Sequence, residues 1–492
     1  MVECLLLMSD SLRKKSITSV IWNSLEKFVT LAIQTICGLI VAHFVAPEEF
    51  GLVGMITIFI SICQVLTDSG FSQSLIRKKD VTEDDYSTIF YFNIVVGLVL
   101  YLLLFALAPL IASFYEMPKL TEISRWAFLV IPINSLGFTQ NSILMRDINF
   151  KVLSRIGIFS AMCSAITGVL ASFLLQNVWA LVIQNLVLFS SKVCFLWLNN
   201  PWRPTKGFSL EVLKSHLGFS LSILGTGLLN SIFNNLYGLL IGKFFRAKEL
   251  GLYSQAEKLQ NIPSGTLTDV VGRILFPILS KIQDDDERLR RVYKKVIGMT
   301  FYLTAPVMFF CILQGTNIFD VILPEKWQRA ALYFQILSVH GLLYPLQAIN
   351  VNILLAKGYS KQSFYLEFVR KILMLTFLFG AIPFGIIGVV VGKVVYAVCS
   401  LFINMYFCGR PIKLSVGSQM LQILPVILLC LVSFVPLTYL FSLFDITAFV
   451  QLLLVFCSST FLYLLLSYLM KVEAMVEILA IITQKLKRNV RI

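Results

Sequence analysis

Charged residues are scarce in this sequence. Only 14% of its 492 residues are Asp, Glu, Lys or Arg, whereas 57% are hydrophobic, and the mean hydropathy is +0.82. A soluble protein of this length needs far more polar surface, so that class is excluded. Apolar runs of about 20 residues recur along the chain, and each is long enough to cross about 30 Å of hydrocarbon. We therefore predict an all-α, polytopic membrane protein.

The residues that build metal and catalytic sites are also few. The three histidines, His43, His216 and His340, lie far apart, and the ten cysteines form no CxxC pair. Most cysteines lie within apolar runs, where they serve as small buried hydrophobic residues. No GxSxG, HExxH or phosphate-binding loop motif occurs. These absences predict a protein that is not an enzyme and that takes neither a metal nor a cofactor.

The apolar runs predict fourteen membrane-spanning helices joined by short connections. Short connections make helices that are neighbours in sequence antiparallel neighbours in space. The predicted spans are 17–45, 50–76, 86–114, 118–145, 152–175, 178–198, 215–245, 249–282, 292–323, 328–356, 362–383, 385–408, 417–441 and 447–470.

Lys and Arg are distributed unevenly between the two sides of this predicted bundle. Most lie on one side, in clusters such as Arg77–Lys79 and Arg288–Lys295, which the positive-inside rule places in the cytoplasm. An even number of spans then puts both termini in the cytoplasm. This asymmetry explains the net charge of +14 without a nucleic-acid partner. The basic residues on the opposite side are Lys119, Lys243, Arg246, Lys248, Lys326 and Arg329.

One sequence pattern occurs twice, 200 positions apart. Val41, Phe44, Glu49, Gly51 and Leu52 are answered by Ile241, Phe244, Glu249, Gly251 and Leu252. An internal repeat of this kind, in the same orientation, predicts two similar halves related by an axis along the membrane normal. The predicted domains are an N-terminal six-helix bundle (1–198), a cytoplasmic linker (199–214), a C-terminal six-helix bundle (215–408), and a region of two further membrane helices with a basic cytoplasmic tail (409–492).

Polar side chains form stripes along several predicted spans. Thr57, Ser61, Gln64 and Asp68 share one helix face, and the eighth span repeats this stripe 200 positions later as Glu257, Asn261, Ser264 and Thr268. Small hydroxyl residues often only join membrane helices, but charged and amide side chains inside hydrocarbon usually face a polar cavity or a partner. We expect local pairing, not cavity lining, for Glu367 with Arg370 and Lys371, and snorkelling for Lys192. The candidate cavity residues are Glu26, Lys27, Gln34, Gln64, Asp68, Arg125, Asn230, Asn234, Glu257, Lys258, Asn261 and Arg273.

Residues 47–151 resemble the polysaccharide-exporting flippases of the multidrug/oligosaccharidyl-lipid/polysaccharide superfamily. The likeness is greatest to the branch that handles colanic and teichuronic acids, the relatives of Wzx-type O-antigen flippases. The segments that carry the resemblance are Glu49-Phe50-Gly51, Asp68-Ser69-Gly70, Leu75-Ile76-Arg77, Ala108-Pro109-Leu110-Ile111-Ala112, the run from Asn141 to Phe150, Gly251-Leu252-Tyr253, and the run from Gly272 to Pro277.

The resemblance implies two six-helix bundles around a central cavity, with two extra helices outside. It implies a substrate, an oligosaccharide repeat unit on undecaprenyl diphosphate, which moves across the bacterial cytoplasmic (inner) membrane by alternating access for surface polysaccharide biosynthesis. Membrane lipids and the polymerase and glycosyltransferases of the pathway would be its partners. In this scheme Lys27, Arg125, Lys258 and Arg273 would bind the diphosphate, Gln34, Gln64, Asn230, Asn234 and Asn261 the sugars, and Glu26, Asp68 and Glu257 a coupling ion.

Three alternatives to this function stay open at the level of sequence. A cation-coupled multidrug exporter of the same superfamily would favour an acidic, aromatic cavity without several cations. A lipid II flippase would share the fold, but its motifs match less well. A polytopic polysaccharide polymerase would need a catalytic external loop, and every external loop here is short.

Overall fold

The computed structural model of the protein describes residues 10–477, except the side chains of 10–21, 267, 269–271, 273, 274 and 276–278. It contains no strand in that range. The α-helices are α1 (Asp10–Phe44), α2 (Pro47–Asp68), α3 (Phe71–Arg77), α4 (Glu83–Tyr115), α5 (Leu120–Ala127), α6 (Val130–Arg146), α7 (Phe150–Leu175), α8 (Val178–Asn199), α9 (Leu210–Lys281), α10 (Asp286–Ile322), α11 (Gln328–Ala356), α12 (Ser360–Ala381), α13 (Gly385–Gly409), α14 (Val416–Ser442) and α15 (Ala448–Leu469).

The predicted all-α, polytopic membrane architecture is confirmed. Among the described residues, twelve continuous helical segments are long and apolar enough to cross a membrane. Ser360–Ile412 contains two of the predicted spans, and Leu210–Thr266 contains one and the first part of the next, so the structure is compatible with fourteen. Of the predicted basic tail, residues 478–492 lie outside the described range.

The second span is interrupted close to its C-terminal end. Ser69 and Gly70 adopt left-handed conformations with φ of 48° and 74°, which end α2 and start α3 in a new direction. A Cβ at Gly70 would also lie 2.9 Å from the carbonyl oxygen of Ser220. Glycine is therefore required here both for its backbone conformation and for the close approach of α9.

The chain divides into two compact units, one ending at Gly251 and the other beginning at Leu252. In the N-terminal unit, Cys37 and Val41 of α1 pack against Ala180 and Leu181 of α8. The C-terminal unit has a larger buried core, contributed mainly by α10, α11 and α14. Its members include Tyr293, Phe301, Met308, Leu346 and Phe434.

The two repeated turns meet inside the N-terminal unit. A Cβ at Gly51 would collide with the carbonyl oxygen of Ala247, and a Cβ at Gly251 would collide with that of Pro47. Each contact is the 200-position counterpart of the other, as expected for two elements related by a pseudo-twofold axis. Close packing of the two backbones therefore explains both glycines.

The two turns differ in backbone conformation. Arg246 has φ 68° and ψ 169° and divides the long helix α9 at a sharp turn. Its counterpart, Ala46, has the ordinary extended values of −75° and 153°. A side-chain-bearing residue in the region that Arg246 occupies costs about 1–3 kcal/mol, so strain is localised at the second turn.

Candidate functional site

The strongest charge cluster within the membrane-spanning part of the C-terminal unit joins α9 to α13. The Lys393 ammonium donates hydrogen bonds to Oε1 of Glu257 and, over 2.8 Å, to the hydroxyl of Tyr253. The Tyr253 hydroxyl in turn donates to the same carboxylate oxygen over 3.0 Å. The Lys393 side chain is 12% exposed and that of Glu257 is 33% exposed. The ammonium is thus largely enclosed, whereas the carboxylate remains accessible.

A second polar cluster in this unit surrounds Arg370 of α12. Its guanidinium donates to Glu367 over 2.9 Å and to the hydroxyl of Ser400 over 3.1 Å. Lys371 lies 3.4 Å from the same Glu367 carboxylate. The expected local pairing of these three charged residues is present, and it needs no substrate.

Asp68, a candidate for ion coupling, closes the break between α2 and α3. Its carboxylate accepts a hydrogen bond from the Ser72 hydroxyl and another, over 3.3 Å, from the Ser72 backbone N–H. A carboxylate in this position satisfies a backbone donor of the first turn of α3, as a capping residue does. The Asp68-Ser69-Gly70 motif therefore has a structural explanation that is independent of any ion.

Glu26 on α1 lies against α7 and close to a lysine that the sequence analysis discounted. A Cβ at Gly157 would collide with the Glu26 carboxylate, so the glycine makes room for it. Lys192 of α8 is near enough to attract Glu26 electrostatically. The expectation that Lys192 only snorkels to the membrane surface therefore leaves out its electrostatic attraction to Glu26.

Most of the remaining candidates lie at exposed positions of spanning helices. Asn230 and Asn234, one helical turn apart on α9, are both exposed, whereas Gln64 is partly buried. Arg273 belongs to the side chains outside the described set. The other exposed candidates are Lys27, Gln34, Lys258 and Asn261.

Arg125 is separated from the other candidates. Its guanidinium lies over the ring of Phe105, 4.4 Å from the ring centre. Both residues line a pocket of about 460 Å³ at the ends of α4 and α5, and none of the other candidates lines it. Sequence position alone could not distinguish this pocket from the predicted cavity.

One buried cluster was missed by the sequence analysis. Asp85, at the start of α4, is fully buried and accepts from Lys78 over 2.6 Å and from the Thr82 backbone N–H over 2.8 Å. Nε2 of His216 lies 2.9 Å from the same carboxylate, and Nδ1 of His216 lies 2.6 Å from Oγ of Ser74. Only the Thr82-x-x-Asp85 capping box was readable from the sequence. The cluster fastens the beginning of α9 to the α3–α4 connection.

The charged clusters described above differ in their capacity to bind and release charged groups. Across residues 10–477, no group of three or more His, Cys, Asp or Glu residues could hold a metal ion. Ser74, His216 and Asp85 follow the order of a hydrolytic triad, but the ring nitrogens are exchanged, since Nδ1 meets Ser74 and Nε2 meets Asp85. All three side chains are buried, so Ser74 cannot meet a substrate. The exposed carboxylate of Glu257, with its neighbouring ammonium, is the group best suited to exchange one partner for another.

Comparison with known sequences identifies relatives that match most of the chain. Teichuronic acid biosynthesis protein TuaB of Bacillus subtilis (strain 168) is 28% identical over 84% of this chain and 86% of its own length. Lipopolysaccharide biosynthesis protein WzxC of Escherichia coli (strain K12) is 24% identical over 82% of both.

Comparison with solved structures shows a shared fold. Lipid II flippase MurJ in an inward closed conformation has a TM-score of 0.72 at 15% identity, covering 92% of this chain and 99% of that one. An inward-facing multidrug resistance MATE family transporter of the MOP superfamily has a TM-score of 0.58 at 16% identity, covering 79% and 99%. The sequence pattern of the family described as "Polysaccharide biosynthesis protein" matches residues 40–332. Because that match covers more than half of the sequence, the chain belongs to this polysaccharide biosynthesis protein family.

Proposed function

We propose that this protein is a flippase that moves an oligosaccharide repeat unit on undecaprenyl diphosphate across the cytoplasmic membrane. It acts by alternating access, while the lipid tail stays in the bilayer. Carrying the sugar head through hydrocarbon unaided would leave many polar groups without partners. The protein supplies those partners and releases the head on the other side. It is a carrier and not an enzyme.

The observation that carries this proposal is the row of exposed polar side chains on spanning helices. An exposed amide or ammonium that faced lipid would be costly, so these groups line water-filled space during transport. Asn230, Asn234 and Asn261 offer amide donors and acceptors to sugar hydroxyls. Lys27 and Lys258 offer positive charge to the diphosphate.

The Lys393–Glu257 pair supports an anionic substrate over a cationic drug. A drug exporter would keep its carboxylate for the cationic drug, but the Lys393 ammonium already binds Glu257. A diphosphate can compete with Glu257 for this ammonium, and the released carboxylate can then take up a proton or a sodium ion. Lys393 therefore joins the proposed set of substrate-binding residues.

Ion coupling in this scheme is optional. Of the three carboxylates considered, Asp68 has a capping role and Glu26 faces Lys192. Glu257 is the remaining candidate, because a coupling carboxylate must bind its ion in one state and release it in the other.

The proposed location is the bacterial inner membrane, with both termini in the cytoplasm, as the distribution of Lys and Arg indicates. The lipid-linked oligosaccharide comes from glycosyltransferases at the cytoplasmic face. A polymerase on the outer side consumes it. Surface polysaccharide biosynthesis thus supplies the substrate and removes the product.

A translocation assay tests the proposal. Purified protein is reconstituted into vesicles with a fluorescent lipid-linked oligosaccharide, and the arrival of the head at the far leaflet is measured. We expect Lys27→Ala and Lys258→Ala each to reduce the rate by about tenfold, since each removes a charge-assisted contact. Lys371→Ala is the control, because Lys371 pairs with Glu367. Full rates in both Lys27 and Lys258 variants would refute the proposed cationic lining.

A further inference from the structure

The pocket around Arg125 has the features of a binding site, and the transport role proposed above does not explain them. It lies in the N-terminal unit, where α4 ends and α5 begins, and measures about 460 Å³. Its lining combines two cations with three aromatic rings. Besides Arg125, the residues that matter are Lys119, Glu122, Tyr101, Phe105 and Trp126.

The two cations of this pocket lack ion-pair partners within the described part of the chain. The Arg125 guanidinium lies over the face of Phe105, and its Nε is buried without a hydrogen-bond partner. Lys119 is exposed at the turn before α5. Glu122, one helical turn from each cation, lies beyond ion-pair distance of both. An arginine at membrane depth is costly unless an anion or water meets its donors.

A paired lysine nearby shows that this arrangement is not general on this side of the protein. Lys243 donates a hydrogen bond of 2.9 Å to Glu116, the residue that follows α4. That hydrogen bond lowers the pKa of the Glu116 carboxyl, which is fully exposed. Lys243 thus forms an ion pair with a neighbouring carboxylate. Glu122 is a neighbouring carboxylate in the pocket, but neither Lys119 nor Arg125 forms an ion pair with it.

The position of the pocket near the start of α5 and its cationic and aromatic lining suit the boundary between lipid headgroups and acyl chains. Arg125 lies five residues beyond Leu120, which is about 8 Å along the helix axis. The headgroup layer is roughly 5–7 Å thick on each side of the hydrocarbon. Trp126 and Phe105 are 52% and 38% exposed, so the pocket opens sideways toward the bilayer. Aromatic side chains are typical of this depth.

We propose that this pocket binds the phosphodiester headgroup of an anionic membrane phospholipid. Arg125 and Lys119 bind the phosphate, while an acyl chain follows Phe105 and Tyr101. The charges decide between two phosphate-bearing lipids. Lys119, Arg125 and Glu122 sum to one positive charge, which matches one phosphodiester and is too little for the diphosphate of the transported lipid. In this proposal the pocket holds a resident membrane phospholipid, and its occupation does not depend on the proposed transport.

Lipid binding to the purified, full-length protein tests the proposal. The protein in detergent is titrated with phosphatidylglycerol, phosphatidylcholine or sugar-free undecaprenyl diphosphate, and bound lipid is counted by native mass spectrometry. We expect phosphatidylglycerol to bind more tightly than phosphatidylcholine. Arg125→Gln and Lys119→Gln should each weaken its binding by about tenfold, because each removes one charge-assisted contact. Arg125→Lys keeps the charge and should retain part of the affinity.

Lys243→Gln is the matched control, since it removes a paired cation from the same side, and its binding should equal that of the unmodified protein. Variants are compared only after size-exclusion chromatography shows a monodisperse, folded species; if Arg125→Gln fails this check, Lys119→Gln and Arg125→Lys carry the test. Equal phosphatidylglycerol binding by the variants and the unmodified protein would overturn the proposal, as would equal binding of phosphatidylcholine. Tighter binding of undecaprenyl diphosphate that depends on Arg125 would also overturn it and assign the pocket to the transported lipid.

Discussion

Two carboxylates that each pair with a lysine, one in each unit, are held differently. Asp85 in the N-terminal unit is fully buried, and its partners include a backbone N–H, a hydroxyl and the His216 ring. Glu257 in the C-terminal unit is 33% exposed and is held by two side chains, those of Lys393 and Tyr253.

This difference separates a carboxylate with a structural role from one that can exchange its partner. Rigid donors around a fully buried carboxylate leave no route for a competing ion, and removing them leaves an unpaired charge in a medium of low polarity. Flexible donors around an accessible carboxylate can leave it for another anion. The Lys–carboxylate pair alone does not reveal which case applies; exposure and the kind of donor do.

The largest expected effect is on the buried pair. Asp85→Ala should lower the free energy of unfolding by about 3–5 kcal/mol, because Lys78 and His216 lose their common anion inside the protein. Thermal unfolding of the purified protein measures this change. Asp84→Ala, at the exposed neighbouring position, should unfold like the unmodified protein. A loss below about 1 kcal/mol for Asp85→Ala would remove the distinction between the two carboxylates.

For the accessible pair of Lys393 and Glu257, we expect a small loss of stability and a large loss of transport. Lys393→Gln should change the free energy of unfolding by only about 1 kcal/mol, since water can reach Glu257 in its place. The translocation rate should nevertheless fall by about tenfold or more, because the diphosphate loses a cation. Unfolding and translocation are measured on the same preparation. If Lys393→Gln is severely destabilised but translocates normally when folded, the pair is structural, like that of Asp85.

The smallest effect on stability is expected for Asp68. Its carboxylate caps α3 and so differs from those of both Asp85 and Glu257. Asp68→Ala should cost about 1 kcal/mol, the usual loss when a capping side chain is removed. Asp68→Asn keeps an acceptor for Ser72 and should be nearly neutral in both stability and transport. A change in the proton or sodium dependence of translocation in Asp68→Asn would show that this residue couples an ion after all.

The sequence was sufficient to predict the membrane class, the positions of the spans and the repeat that brings Gly51 and Gly251 together. These features follow from local hydropathy and from a repeated pattern of several residues. Both can be recognised without knowledge of how the helices pack. The family resemblance was carried by short motifs, and the structure gives one of them, Asp68-Ser69-Gly70, a physical reason in the break between α2 and α3.

The partners of the candidate residues could not be predicted in the same way. Glu257 was a candidate at the level of sequence, but its partner Lys393 lies 136 residues away, and no spacing rule joins positions so distant. Arg125 looked like a cavity residue because depth can be inferred from sequence, whereas the direction that a side chain faces depends on packing. His216 was set aside as a lone histidine for the same reason.

The central claim, that the protein carries an anionic lipid-linked head across the membrane, is tested most directly by translocation under an imposed membrane potential. Unmodified protein in vesicles containing fluorescent lipid-linked oligosaccharide is given a potassium diffusion potential, with no proton or sodium gradient. Each charge moved gains or loses about 2.3 kcal/mol per 100 mV. We predict that translocation proceeds and accelerates when the potential favours movement of negative charge toward the far leaflet. Translocation no faster than in protein-free vesicles, at either sign of the potential, would contradict the account.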